Sequence, residues 1–195
     1  METSTPAGLK ANTQAKNTVL WLFLVSITLL FAALTSAYLV RKDGANWLRF
    51  DLPEAFTQST IVLIGSSLTM ILAVWLAKKN RWASGLAILL TLGLGLWFTQ
   101  LQFQGWRDLT ASGIFFIDNV NQNVSGSFFY VLTAFHLAHL ISGLIALFVV
   151  FIRSLLGHYE KGKTAGLRRT AIYWHFLDFL WLYLFLFLRY ADTIF

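Results

Sequence analysis

Apolar residues along this chain collect into five runs, Val19–Val40, Thr57–Ala77, Ala83–Gln104, Ser127–Ile152 and Ala171–Tyr190, separated by charged or polar segments. A helix needs about 20 consecutive apolar residues to cross roughly 30 Å of hydrocarbon, so each run predicts one transmembrane helix. The expected fold class is all-α: an integral membrane bundle of five helices in one domain over residues 18–195, with a polar tail over residues 1–17. The first run is too long for a signal-peptide core, and no convincing small-residue cleavage pattern follows it. It reads as a retained helix. The turn around Lys78–Trp82 is so short that the second and third helices must be antiparallel neighbours. The connections Arg41–Phe56 and Gly105–Gly126 are longer, and Arg153–Thr170, with Gly157, Gly162 and Gly166, reads as a mobile basic connection. No internal repeat is visible, which disfavours an inverted-repeat transporter.

Composition agrees with this pattern. Hydrophobic residues make up 57% of the chain and charged residues only 12%, too few charges for a water-soluble domain. The chain has no Cys, which removes disulfides, thiolate metal ligation and thioether-linked haem from consideration. A net charge of +6 could suggest nucleic acid, but its distribution points elsewhere. Lys10 and Lys16, then Lys78, Lys79 and Arg81, then Arg153, Lys161, Lys163, Arg168 and Arg169 fall in alternate connections and hold ten of the fifteen basic residues. Asp43, Asp51, Glu54, Asp108, Asp118 and Asp192 fall on the other side. The positive-inside rule then predicts a cytoplasmic N-terminus and a periplasmic C-terminus. Trp21, Trp47, Trp82, Trp106 and Trp174 lie near predicted span ends, where indoles settle at the membrane interface.

Candidate chemistry is confined to a few polar side chains inside the spans. In Tyr173-Trp174-His175-Phe176-Leu177-Asp178-Phe179-Leu180-Trp181, an imidazole and a carboxylate lie three residues apart, on one helix face. An ionised Asp near the centre of a membrane helix costs about 2.5–3.5 kcal/mol on insertion scales. Asp178 therefore needs a partner within the protein or stays protonated, and this face is expected to turn away from lipid. A proton relay is one reading, but the other four spans contain no Asp or Glu. Polar anchoring is the larger share. His136 and His139 are also three apart, a spacing that could suit haem or a metal. At about 1.5 Å per residue, His139 sits roughly 20 Å from the inner end of its helix and His175 roughly 6 Å, a gap too large for one shared metal. The plainer reading is interhelical hydrogen bonding by neutral histidines, with Ala134, Ala138, Ser142 and Gly143 allowing close packing. Gln100, Gln102 and Gln104 form a polar patch that contacts a partner or lines a cavity or, more simply, are amides tolerated near headgroups.

The order of these motifs resembles the cytochrome c oxidase subunit III family of the haem–copper oxidases. The last helix is similar to that family's Tyr-Trp-His-Phe-x-Asp-x-x-Trp signature through Trp174, His175, Asp178 and Trp181. Gly126-Ser127-Phe128-Phe129 followed by Thr133-Ala134-Phe135-His136-Leu137-Ala138-His139 resembles its Gly-Ser-x-Phe…Thr-Gly-x-His-x-x-His segment, with Ala134 at the usual glycine. Leu101-Gln102 resembles the family's Leu-Gln. The resemblance covers all five helices, like the shorter bacterial form that lacks the first two of seven. Two departures stand out: Ile27 follows Ser26 where bacterial members usually carry Glu, and the acid after Leu-Gln is missing near Gln104 or Gly105. A proton-uptake role discussed for the first of those acids cannot be carried onto Ile27.

The resemblance implies a non-catalytic subunit III of a proton-pumping terminal oxidase in the respiratory chain of a bacterial inner membrane. It implies no haem, copper or other metal in this chain and a place beside subunit I, which would carry those cofactors. Subunit II, possible respiratory supercomplex partners and bound phospholipid complete the expected surroundings, with no nucleic acid. His136, His139, Trp174, His175 and Asp178 are expected mainly to hold the fourth and fifth helices together. A subunit of a quinol oxidase or a nitric oxide reductase remains an alternative within the family. Outside it stand a haem-binding electron carrier using His136 or His139, and a small transporter coupled through Asp178.

Overall fold

The computed structural model describes residues 6–44, 47–117, 124–157 and 164–194. Asp118, Lys161, Gly162 and Lys163, used above for charge and flexibility, lie outside the described residues. Five helices follow one another: α1 Pro6–Arg41, α2 Glu54–Leu76, α3 Arg81–Ala111, α4 Val124–Leu155 and α5 Ala165–Ile194. All five are long and apolar enough to cross a membrane.

The predicted runs are all present, but most of the helices reach beyond them. Hydropathy marks where hydrocarbon begins, whereas a helix continues until a residue breaks its backbone pattern. α1 starts at Pro6, a residue whose fixed φ and missing N–H suit the first helical position. α3 runs past the glutamines to Ala111, so the predicted loop start at Gly105 is corrected. What stops it is a glycine cap. Gly113 adopts φ +82°, its N–H donates to Thr110 O, and Ile114 N–H donates to Leu109 O at 3.0 Å. That is the Schellman pattern, with Leu109 and Ile114 both buried in one apolar cluster. At the other end of α3, Asn80 Oδ1 accepts from the N–H groups of Trp82 (3.0 Å) and Ala83 (3.3 Å), an N-cap that fixes the tight turn after α2.

α2, α3, α4 and α5 pack in a ring, each against the next and α5 back against α2, while α1 lies outside against α4 and α5. One apolar core fills the ring around Phe56, Phe98, Leu140, Trp174 and Trp181. A second, smaller core seals α1 through Leu24, Ile27 and Phe31 with Leu132, Tyr173, Leu177 and Leu184. Ile27 is 2% exposed there, so the position is a packed apolar one.

Two glycines make the centre of the ring possible. A Cβ at Gly95 would lie 2.7 Å from Trp174 Cη2, and one at Gly143 would lie 2.9 Å from Leu177 Cδ1 and 3.3 Å from Trp174 Cε3. The Trp174 indole thus occupies a slot cut by glycines on α3 and α4, the small-residue packing that lets membrane helices approach closely. This corrects the interfacial reading of Trp174. α5 begins well before the apolar run, so the residue lies deep in the bundle and fully buried.

Candidate functional site

The polar side chains singled out on α5 meet hydroxyls on α2. Trp174 Nε1–H donates to Ser66 Oγ at 3.1 Å, and Trp181 Nε1–H donates to Thr60 Oγ1 at 3.0 Å. His175 Nδ1 lies 2.8 Å from Ser67 Oγ. Numbers rise along α5 as they fall along α2, so the two helices are antiparallel. Trp174 and Trp181 are seven apart, as are Ser59 and Ser66, and Thr60 and Ser67. Seven residues are two helical turns, so each helix presents its polar positions on one stripe. Further bonds extend the pattern: Gln102 Nε2 donates to Ser59 Oγ at 2.9 Å, and Thr69 Oγ1 lies 2.7 Å from Thr91 Oγ1. Trp106 Nε1–H donates to Thr133 Oγ1 at 3.1 Å across α3 and α4.

Ser59, Thr60, Ser66 and Ser67 were not singled out from the sequence, where they lie inside the second apolar run. The available signal was the repeat of adjacent hydroxyl pairs seven residues apart, matching the two tryptophans. Gln102 is likewise corrected from a headgroup-tolerated amide to a buried interhelical donor, while Gln100 and Gln104 are exposed as that reading assumed.

The three intramembrane histidines face three different directions. His136 is fully buried, its ring 5.1 Å from that of Trp181 and 6.0 Å from Phe98. Neither of its nitrogens has a hydrogen-bond partner among the described residues. His139 points toward α1, against Phe23 and Phe31, and its Nδ1 lies 2.7 Å from Phe135 O of its own helix. The expected interhelical hydrogen bonds from His136 and His139 are therefore not formed. Tyr173 supplies the α4–α5 link instead, with its hydroxyl 2.6 Å from Ser142 Oγ and donating to His139 O at 3.1 Å. The imidazoles of α4 and α5 also differ in face, with His139 turned toward α1 and His175 toward α2. Among the described residues, no group of three or more His, Cys, Asp or Glu side chains converges as metal ligands would.

Asp178 lies in the seam between α2 and α5 with its side chain 11% exposed. His175 Nδ1 is 3.7 Å from Asp178 Oδ2, close but beyond hydrogen-bond length. Both residues line a depression of about 370 Å³ with Thr60, Leu63, Ser67 and Trp181. The predicted grouping of acid and imidazole is present, but it opens sideways from the bundle, with His175 34% exposed. The hydrogen bonds of Trp174, His175 and Trp181 run to α2, where packing against α4 was expected, and α5 as a whole packs against both helices. The absent acid near position 105 also has a physical counterpart: a Cβ at Gly105 would lie 2.5 Å from the Phe56 ring, which fills the space a carboxylate would need.

A family model described as "Cytochrome c oxidase subunit III" matches residues 4–193. The chain belongs to the cytochrome c oxidase subunit III family. It is 33% identical over 129 residues to cytochrome c oxidase subunit 3 of Myxine glutinosa, covering 66% of this chain and 47% of that protein. For the Loxodonta africana protein the identity is 35% over 129 residues, with the same coverage. The probable cytochrome c oxidase subunit 3 of Mycobacterium tuberculosis (strain ATCC 25618 / H37Rv) is 29% identical over 188 residues, covering 90% of this chain and 87% of that one. The chain thus spans about half the length of the animal relatives and most of the mycobacterial one. It is a five-helix, multi-pass membrane form of the family.

Proposed function

We propose that this protein is the non-catalytic subunit III of a proton-pumping haem–copper terminal oxidase in a bacterial cytoplasmic membrane. In that role it packs beside subunit I, with subunit II and phospholipid nearby, and stabilises the complex that reduces oxygen. The observation that carries the reading is the use made of the family signature. Trp174, His175 and Trp181 bond to hydroxyls of α2, and His136 packs against Trp181. The indoles and the imidazole of the motif spend their polar atoms on joining helices, which suits a structural subunit better than an electron carrier. The segregation of Lys78, Arg81, Arg153 and Arg168 to one end supports a cytoplasmic N-terminus and a periplasmic C-terminus.

Purification of the tagged chain in mild detergent, with an optical spectrum and identification of co-purifying proteins, tests the proposal. A large haem- and copper-containing subunit should accompany it. A lone chain carrying b-type haem would support an electron carrier, and a lone colourless chain would support a transporter. Replacing Asp178 with Asn should lower the amount of assembled complex more than turnover per assembled haem. Normal assembly with collapsed proton pumping would overturn the structural role.

A further inference from the structure

The α2–α5 seam contains a carboxylate that no hydrogen bond among the described residues satisfies. Both carboxylate oxygens of Asp178 are buried, and neither has a hydrogen-bond partner among the described residues. The imidazole nearby, His175, sits closer to Ser67 Oγ (2.8 Å) than to Asp178 Oδ2 (3.7 Å). Asp178 is also the only acid in the five helices that lies away from their ends. The depression it lines is followed, toward the basic end of the bundle, by another of about 480 Å³ between Ile71, Trp75, Lys78, Arg168 and Ile172. His175 forms part of the wall of both.

We infer that this seam is the face on which a transmembrane helix of a partner subunit docks, presenting a hydrogen-bond-donating side chain to Asp178. The inference rests on the proposed reading of the chain as an oxidase subunit. A buried polar group in hydrocarbon is costly until it finds a partner. A lipid acyl chain in the groove has no donor and would leave the carboxylate as it is. A second copy of this chain, docked through the same face about a two-fold axis, could offer only His175 as a strong donor, and that imidazole already lies beside Ser67 and its own Asp178. A helix bearing a hydroxyl, imidazole or cationic side chain supplies what is missing.

Size agrees with that occupant. A helix with its side chains is about 10–12 Å across, too wide to enter either depression, but its projecting side chains fit as knobs. Phe179, 72% exposed at the rim, would be covered by such a helix. The outward face of α1, with Leu22, Val25 and Leu29 exposed, offers no polar atom of this kind and suits lipid.

The test places the photo-crosslinker p-benzoylphenylalanine at position 179 or position 29 of the full chain within its purified complex. Position 179 should crosslink to a transmembrane peptide of a partner that carries a donor residue, and position 29 to phospholipid. Asp178→Leu should reduce the haem-containing partner recovered per tagged chain roughly tenfold or more. The same substitution should leave the melting temperature of the isolated chain unchanged or raised, because it removes an unpaired buried group. The inference is overturned if the haem subunit co-purifies while position 179 crosslinks only to phospholipid or to a second copy. It is also overturned if Asp178→Leu lowers the melting temperature of the isolated chain. Absence of any haem subunit from the wild-type preparation would sink the oxidase reading itself, and the docking face with it.

Discussion

An indole carries one donor and no acceptor, so in a membrane interior it needs a single oxygen placed opposite its N–H. Trp174 and Trp181 each have one, on Ser66 and Thr60. A double-mutant cycle of Trp181→Phe with Thr60→Val should give a coupling of about 0.6 kcal/mol, the average for interhelical hydrogen bonds in membranes, with about 1.7 as a ceiling. The slot around Trp174 gives a sharper expectation. Gly95→Ala puts a methyl 2.7 Å from the indole and should destabilise the chain by about 1–3 kcal/mol in a thermal unfolding assay. Gly93→Ala, where a Cβ meets nothing within 4 Å, should be close to neutral. Trp174, His175, Asp178 and Trp181 were legible as a fingerprint because they break an apolar run. Their partners were not, because Ser and Thr also satisfy themselves locally in helices, as Ser66 Oγ does on Leu63 O at 2.9 Å.

At the scale of the helices, the indoles seven residues apart on α5 meet hydroxyls six residues apart on α2, and these two bonds mark the register of the pair. The tight turn between α2 and α3 depends on Asn80, and Asn80→Ala should cost about 1 kcal/mol. That loss should appear as a lower midpoint in detergent-titrated unfolding, with the helix content of the folded state unchanged. Helix existence was readable from run length, whereas helix ends were not. The Gly113 cap lies beyond the apolar run, and hydropathy says nothing about backbone continuity in polar sequence.

For the whole molecule, the ring of α2 to α5 with α1 outside places most basic side chains at one end. The chain lacks Cys, so single cysteines report on sidedness directly. In intact cells, Asp108→Cys should react with a membrane-impermeant maleimide, and Lys79→Cys should react only after the membrane is opened. The reverse pattern would invert the orientation.

The sequence by itself determined the number of spans, the tight α2–α3 pairing and the family, because these depend on local composition, loop length and ordered motifs. Only the tertiary structure decided which face each polar residue occupies. It sent His136 to the core, His139 toward α1 and His175 toward α2, and left Asp178 at an open seam. Periodicity fixes angles within one helix, but the rotation of a helix against its neighbours comes from packing, here from two glycines that admit one tryptophan.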